Sequence, residues 1–129
     1  MVSDRDQLLS LRPAIPSIMD QDCSRAEQFQ NRTLRPILKF QNELLLAVFR
    51  QYLDKRKRTF YQLSAAKRLE YIAHAVRQDQ NFKHCLLGMV LGQLTLEEWQ
   101  TYQQNEKELR RRTTNLLVQR LQDQVALFV

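Results

Sequence analysis

The stretch "HCLLGMVLGQLTLEEW", His84 to Trp99, gathers both glycines of the chain, its only tryptophan, one of two histidines and one of two cysteines. Rare residues gathered this way mark an active site, a membrane segment or a turn between helices. The spacing selects the turn. Thr95 and Glu98 stand at the two positions of a capping box, and Leu94 and Trp99 at those of a hydrophobic staple, so two independent signals start a helix at Thr95. A helix must therefore end just before it. Phe82, Cys85, Leu86, Met89 and Val90 form an apolar stripe at helical spacing that stops at Gly92. On this reading Gly92 is a left-handed helix end, Gly88 a point of close approach and Cys85 a buried structural thiol. Two helices joined at a short corner, with no alternating apolar pattern around them, set the fold class as all-α.

Working outward, residues 95 to 129 read as one long C-terminal helix with two apolar zones, Trp99 and Tyr102, then Leu116, Leu117, Leu121, Val125 and Phe128. Thirty helical residues would span about 45 Å, so such a helix projects from a small bundle or breaks between Gln103 and Asn115. Upstream, Ser64 caps a helix whose stripe is Leu69, Ile72, Ala73 and Val76, and the chain breaks again near Asp79. A more apolar helix begins at Thr33, with Pro36 in its first turn, and carries Leu34, Ile37, Leu38, Leu45, Val48, Phe49 and Tyr52. A short helix starts at Ser24, where Ser24 and Glu27 have capping-box spacing. Residues 1 to 23, with two prolines and no sustained period, read as a loosely ordered or draped arm. The expected architecture is a four- to five-helix bundle over residues 24–129, one domain with a flexible N-terminal arm and a long C-terminal helix.

Composition agrees. The 129 residues include two glycines and three prolines, which leaves little turn chemistry for hairpins, while 43% hydrophobic content is ordinary for a globular core. The longest apolar run, Cys85 to Leu96, is interrupted by Gln93 and is far short of the roughly 20 residues a bilayer needs. With two cysteines, no disulfide framework and no visible leader, the expected location is the cytoplasm.

The net charge of +6 is uneven: residues 25–83 hold thirteen bases and five acids, and residues 84–129 five of each. A field of that sign favours acidic partners, nucleic acid among them. The stretch "YLDKRKRTFYQL" sets Lys55, Arg56, Lys57 and Arg58 between Tyr52 and the pair Phe60 and Tyr61, the interleaving of cations and rings that nucleic-acid surfaces use. With Arg50, Lys67 and Arg68 it forms the candidate polyanion-binding surface. The same residues also suit a structural role, since cations complement a helix C-terminus and rings anchor a connection. Arg110, Arg111 and Arg112 are weaker candidates, because Glu106 and Glu108 stand four residues before Arg110 and Arg112.

Catalytic and metal patterns are sparse. Glu70 and His74 share a helical face and read as a surface ion pair, while His84 and Cys85, being adjacent, point about 100° apart on a helix. No Gly-rich phosphate loop, Gly-x-Ser-x-Gly or His-Glu-x-x-His occurs. A helix-turn-helix reading of residues 82–112 requires an apolar residue where Glu98 stands. No cofactor or metal is expected, and the expected role is non-enzymatic: a small interaction or scaffolding module, self-associating through Leu116, Leu121, Val125 and Phe128. Nucleic-acid or polyanion binding is the alternative.

The segments "NRTLRPILKFQNELL" (31–45), "LSAAKRLEYI" (63–72) and "GMVLGQLTLEEWQTY" (88–102) resemble a group of small all-helical Bacteroidetes proteins of unknown function. Some relatives are labelled glyoxalase, an activity that implies βαβββ modules and His/Glu ligands on strands. The pattern here provides neither.

Overall fold

The computed structural model describes residues 3–15 and 24–129. These contain seven α-helices and no strand: α1 (Arg25–Phe29), α2 (Arg35–Phe40), α3 (Asn42–Asp54), α4 (Ala65–Gln78), α5 (Gln80–Leu91), α6 (Leu96–Gln104) and α7 (Glu106–Asp123). The all-α class holds, but a count of four or five is too low. Two expected helices are each divided. One breaks at Gln41 (φ −83°, ψ 0°), whose side-chain amide donates to the Met89 carbonyl at 3.2 Å. The other breaks at Asn105 (φ −141°, ψ 48°), so the long C-terminal helix becomes α6 and α7.

Thr33 does not begin a helix. The chain runs on from α1 through a π-helical turn, Gln30–Leu34, closed by the Arg35 N–H donating to the Gln30 carbonyl. Pro36 has no N–H, and in an unbroken α-helix its ring would strike the carbonyl four residues back. The wide turn shifts the ladder by one residue just before the proline. At four helix starts the side chains of Ser24, Ser64, Asp79 and Thr95 accept from the N–H groups of Glu27, Lys67, Phe82 and Glu98, so Ser24 serves as an N-cap, and Asp79, read from the sequence only as a break, is one too. Thr95 and Glu98 complete the reciprocal capping box.

α7 lies along α4, α5 and the π-helical turn, and α4 packs against α5. The most enclosed large side chains are Phe49, Phe60 and Phe128, none of them exposed at all. Phe49 and Phe128 have ring centroids 4.9 Å apart, and Phe60 meets Phe49 edge-on at 6.0 Å. A 3-10 turn, Val125–Leu127, brings Phe128 into that cluster.

Two readings of the 84–99 stretch are corrected. Gly92 is right-handed (φ −63°, ψ −15°), and a side chain at Gly88 would meet nothing within 4 Å. Neither glycine is left-handed, and the close approach falls at Gly92, where a β-carbon would stand 3.2 Å from the Gly88 carbonyl, rather than at Gly88. The carbonyls of the turn after α5 are held from residues 3–15, which include a 3-10 turn, Asp6–Leu11. Arg5 Nη2 donates to Gly92 O at 2.7 Å and to Leu94 O at 2.8 Å, and Arg12 Nη2 donates to Gln93 O at 2.8 Å. The last-turn carbonyls of Gly88, Val90 and Leu91 accept from the N–H groups of Gly92, Gln93 and Leu94, and the arginine cations beyond them face the negative end of the helix dipole. Residues 16–23, the rest of the expected arm and Cys23 with it, lie outside the described residues.

Arg12 forks onto Glu98, Nη1 to Oε2 and Nη2 to Oε1, both at 2.6 Å, with side chains 9% and 16% exposed. Burial alone pushes the Glu98 carboxyl up. The Arg12 fork, the Thr95 N–H and the Thr33 hydroxyl outweigh it and hold the group below its ordinary 4.5. A carboxyl with a depressed folded-state pKa adds stability that is complete above its unfolded value and is lost as pH falls through the folded one. Thermal melts should therefore hold steady down to about pH 4.5 and decline below it, and Glu98→Gln should flatten that acid limb. Arg12→Ala, which strands a half-buried carboxylate, should cost about 2–4 kcal/mol and lower Tm by roughly 10 °C at pH 7.

Candidate anion-binding groove

The basic run after α3 is folded largely onto itself. The chain passes from Asp54 through a turn in which Lys57 (φ 59°) and Arg58 (φ 57°) are both left-handed, and then a 3-10 turn, Thr59–Gln62, sinks Phe60 into the core. The Arg56 guanidinium lies 3.4 Å from the Tyr52 ring centroid and donates to Asp79 Oδ2 at 2.9 Å. Tyr52 donates its hydroxyl to the same oxygen at 2.9 Å, while Asp79 Oδ1 accepts the Phe82 N–H and so caps α5. These contacts hold Asp79 below its ordinary value, the Phe82 N–H first and the Tyr52 hydroxyl next; Tyr52 is pushed up to about 12, by burial first and then by that hydrogen bond.

The remaining arginines of this surface are engaged as well. Arg68 donates to the Tyr61 and Leu63 carbonyls and faces Phe60. Arg50 donates to the Leu127 carbonyl over Phe128, and Arg58 covers Tyr61. Lys55, Lys57 and Lys67 are exposed. The rings between the cations are therefore core or covered, and the arginines mostly fasten the connection. Two consecutive left-handed side-chain residues carry backbone strain that glycine avoids. Lys57→Gly should raise stability by about 1 kcal/mol in chemical denaturation, whereas Lys57→Val should lower it.

The residues expected to mediate self-association sit inside the monomer. Leu116, Leu121 and Phe128 are buried and Val125 is partly so. Cys85, expected on the core side, is exposed beside Tyr52, Arg56 and Asp79 in a cavity of about 360 Å³. Glu70 and His74 are both exposed on α4.

A different set of cations converges. The end of α4 brings Arg77, the first turn of α5 brings Lys83, and the first half of α7 brings Lys107, Arg110 and Arg111. With Gln78, Glu106, Thr114 and Asn115 they line a groove of about 620 Å³. Five cationic side chains face one carboxylate there. Glu108, just outside, takes both Arg111 (2.6 Å) and Arg112 (2.8 Å). That leaves Arg110 free to reach across to α5, its Nη2 3.0 Å from His84 Nε2. A guanidinium only donates, so this contact is a hydrogen bond when that ring nitrogen is unprotonated. Arg77 reaches Asn115 Oδ1 at a long 3.4 Å.

The sequence held a signal for this groove. Lys107, Arg110, Arg111 and Thr114 follow i, i+3, i+4, i+7 spacing, one polar face of a helix. Counting acids four residues upstream concealed it, because Glu108 turns out to serve two arginines while Arg110 turns elsewhere. Arg77 and Lys83 could not be joined to that face without knowing that α4, α5 and α7 pack together.

Among the described residues, no group of three or more His, Cys, Asp or Glu could hold a metal ion, and no helix is long and apolar enough to cross a membrane. No protein family matches the chain, and neither the curated proteins nor the solved structures contain a match.

Proposed function

We propose that this chain is a small helical binding module for polyanions, acting through the groove between α4, α5 and α7. The supporting observation is the convergence of Arg77, Lys83, Lys107, Arg110 and Arg111 on one concave surface that holds a single carboxylate. Cations brought together from three helices sit in a field that their separate positions in sequence would not create. A concave wall concentrates that field on a bound anion. A chain of phosphates or sulfates suits it better than a lone anion, because the groove is elongated along α7 and each neutralised charge releases counterions. The Lys55–Arg58 turn is the secondary surface: each surface has one cation already paired, Arg56 with Asp79 and Arg111 with Glu108, but the groove gathers its cations from three helices around one cavity.

Fluorescence anisotropy with a labelled single-stranded oligonucleotide tests the reading. Affinity should fall as a power of salt concentration, with a log–log slope of about −0.7 per phosphate engaged. A Lys83→Ala, Lys107→Ala, Arg110→Ala triple variant should lose at least tenfold at low salt and show a shallower slope, more than a Lys55→Ala, Lys57→Ala, Arg58→Ala variant loses. No binding at low salt, or loss confined to the second variant, would overturn the groove assignment.

A further inference from the structure

The cationic groove has a neighbour on its α6 side. Glu106 and Arg110 also border a second cavity, of about 250 Å³, whose other walls are His84, Leu87, Gly88, Leu91, Trp99 and Tyr102. The two cavities share those two residues and are therefore neighbours, one on each side of Glu106 and Arg110. One end of the combined surface is charged, and the other is apolar and aromatic.

The apolar end has features suited to a flat ring. Trp99 and Tyr102 lie nearly parallel, 15° between planes with centroids 5.8 Å apart. Tyr102 is buried, so the pair is fixed from behind, while Trp99 is 38% exposed. Phe40, at 44%, is more exposed still, but Trp99 is the exposed ring that borders this cavity. Gly88 lines the same cavity and leaves space there, since a β-carbon would meet nothing within 4 Å. The glycine keeps open a wall that any other residue would begin to fill. At the junction stands Arg110, directed by His84, where its guanidinium can meet both an anion in the groove and the edge of a ring in the pocket.

On these observations we propose that the Trp99–Gly88 pocket receives one unpaired base of a single-stranded nucleic acid whose phosphates run along the Arg77–Arg111 groove. The inference rests on the polyanion reading and narrows it. Among polyanions, a single strand offers both parts of the match: charges spaced along a backbone and detachable flat rings beside them. A sulfated polysaccharide has the charge without the rings. A duplex keeps its bases stacked, and to fill the pocket it would first have to give one up.

The sole tryptophan makes the pocket its own reporter. Titrating the full chain with an oligothymidylate should quench Trp99 fluorescence, and an abasic strand of the same length should bind without quenching and about tenfold more weakly. In Gly88→Leu, whose side chain occupies the pocket, the intact and abasic strands should bind alike, with folding checked by circular dichroism. Equal affinity of the two strands for the unaltered protein, with salt-sensitive binding retained, would overturn the base pocket and leave the groove standing. Failure of both strands to bind at low salt would remove the groove as well. Quenching by a duplex as strong as by the single strand would overturn the preference for unpaired bases.

Discussion

The ion pair between Arg12 and Glu98 is the constraint on which the rest of the molecule turns. Glu98 belongs at once to the start of α6 through its bond to the Thr95 N–H, to the segment 3–15 through Arg12, and to the π-helical turn through Thr33. Arg12 in turn holds the Gln93 carbonyl at the end of α5. One pair thus joins four chain segments at one corner. Taking these charges from water is costly, and Arg12 Nε is buried with no hydrogen-bond partner among the described residues. The fork of two short bonds and the further contacts on the carboxylate offset that cost. The corner then fixes the direction in which α6 leaves α5.

That direction has consequences downstream. From Thr95 the chain runs outward for nine helical residues, breaks at Asn105, and returns as α7 along α4 and α5. Without the break, the residues from Glu106 onward would continue past the bundle. With it, Lys107, Arg110 and Arg111 come to lie beside Arg77 and Lys83, and Trp99 and Tyr102 stand over Gly88. Both cavities are products of the same two bends. The residues that make the bends, Glu98 and Asn105, differ from most of those that line the cavities, so fold and surface can be altered separately.

Much of this was legible in the sequence, and the reasons differ by residue. The starts at Ser24, Ser64, Asp79 and Thr95 rest on local hydrogen bonds spanning three residues, and local chemistry is what a sequence displays. The apolar stripe from Leu34 to Tyr52 likewise located the core. The failures are all non-local or geometric. Gly92 looked like a left-handed cap, but it stays right-handed, and Arg5 and Arg12, far earlier in the chain, hold the turn that follows it. Pro36 does stand in the first turn of α2, but the helix does not start at Thr33, because a π-helical turn carries the chain on from α1. Leu116, Leu121 and Phe128 looked available to a partner because the apolar pattern of residues 95–129 falls in two zones, whereas all three are buried in the bundle, Phe128 against Phe49 and Phe60. The Lys55–Arg58 run drew notice because its charges are contiguous. The groove escaped because its charges are assembled from three helices.

The account's central claim is that the charge field useful to this protein is the one made by tertiary packing. Backbone amide exchange measured with and without a saturating single-stranded oligonucleotide tests it most directly, since it maps the contact surface on the unaltered chain. Protection concentrated in residues 77–91 and 99–115, with little change in residues 55–68, is the predicted result. Protection centred on residues 55–68, or a strand-bound protein whose α5 and α7 amides exchange as in the free one, would contradict it.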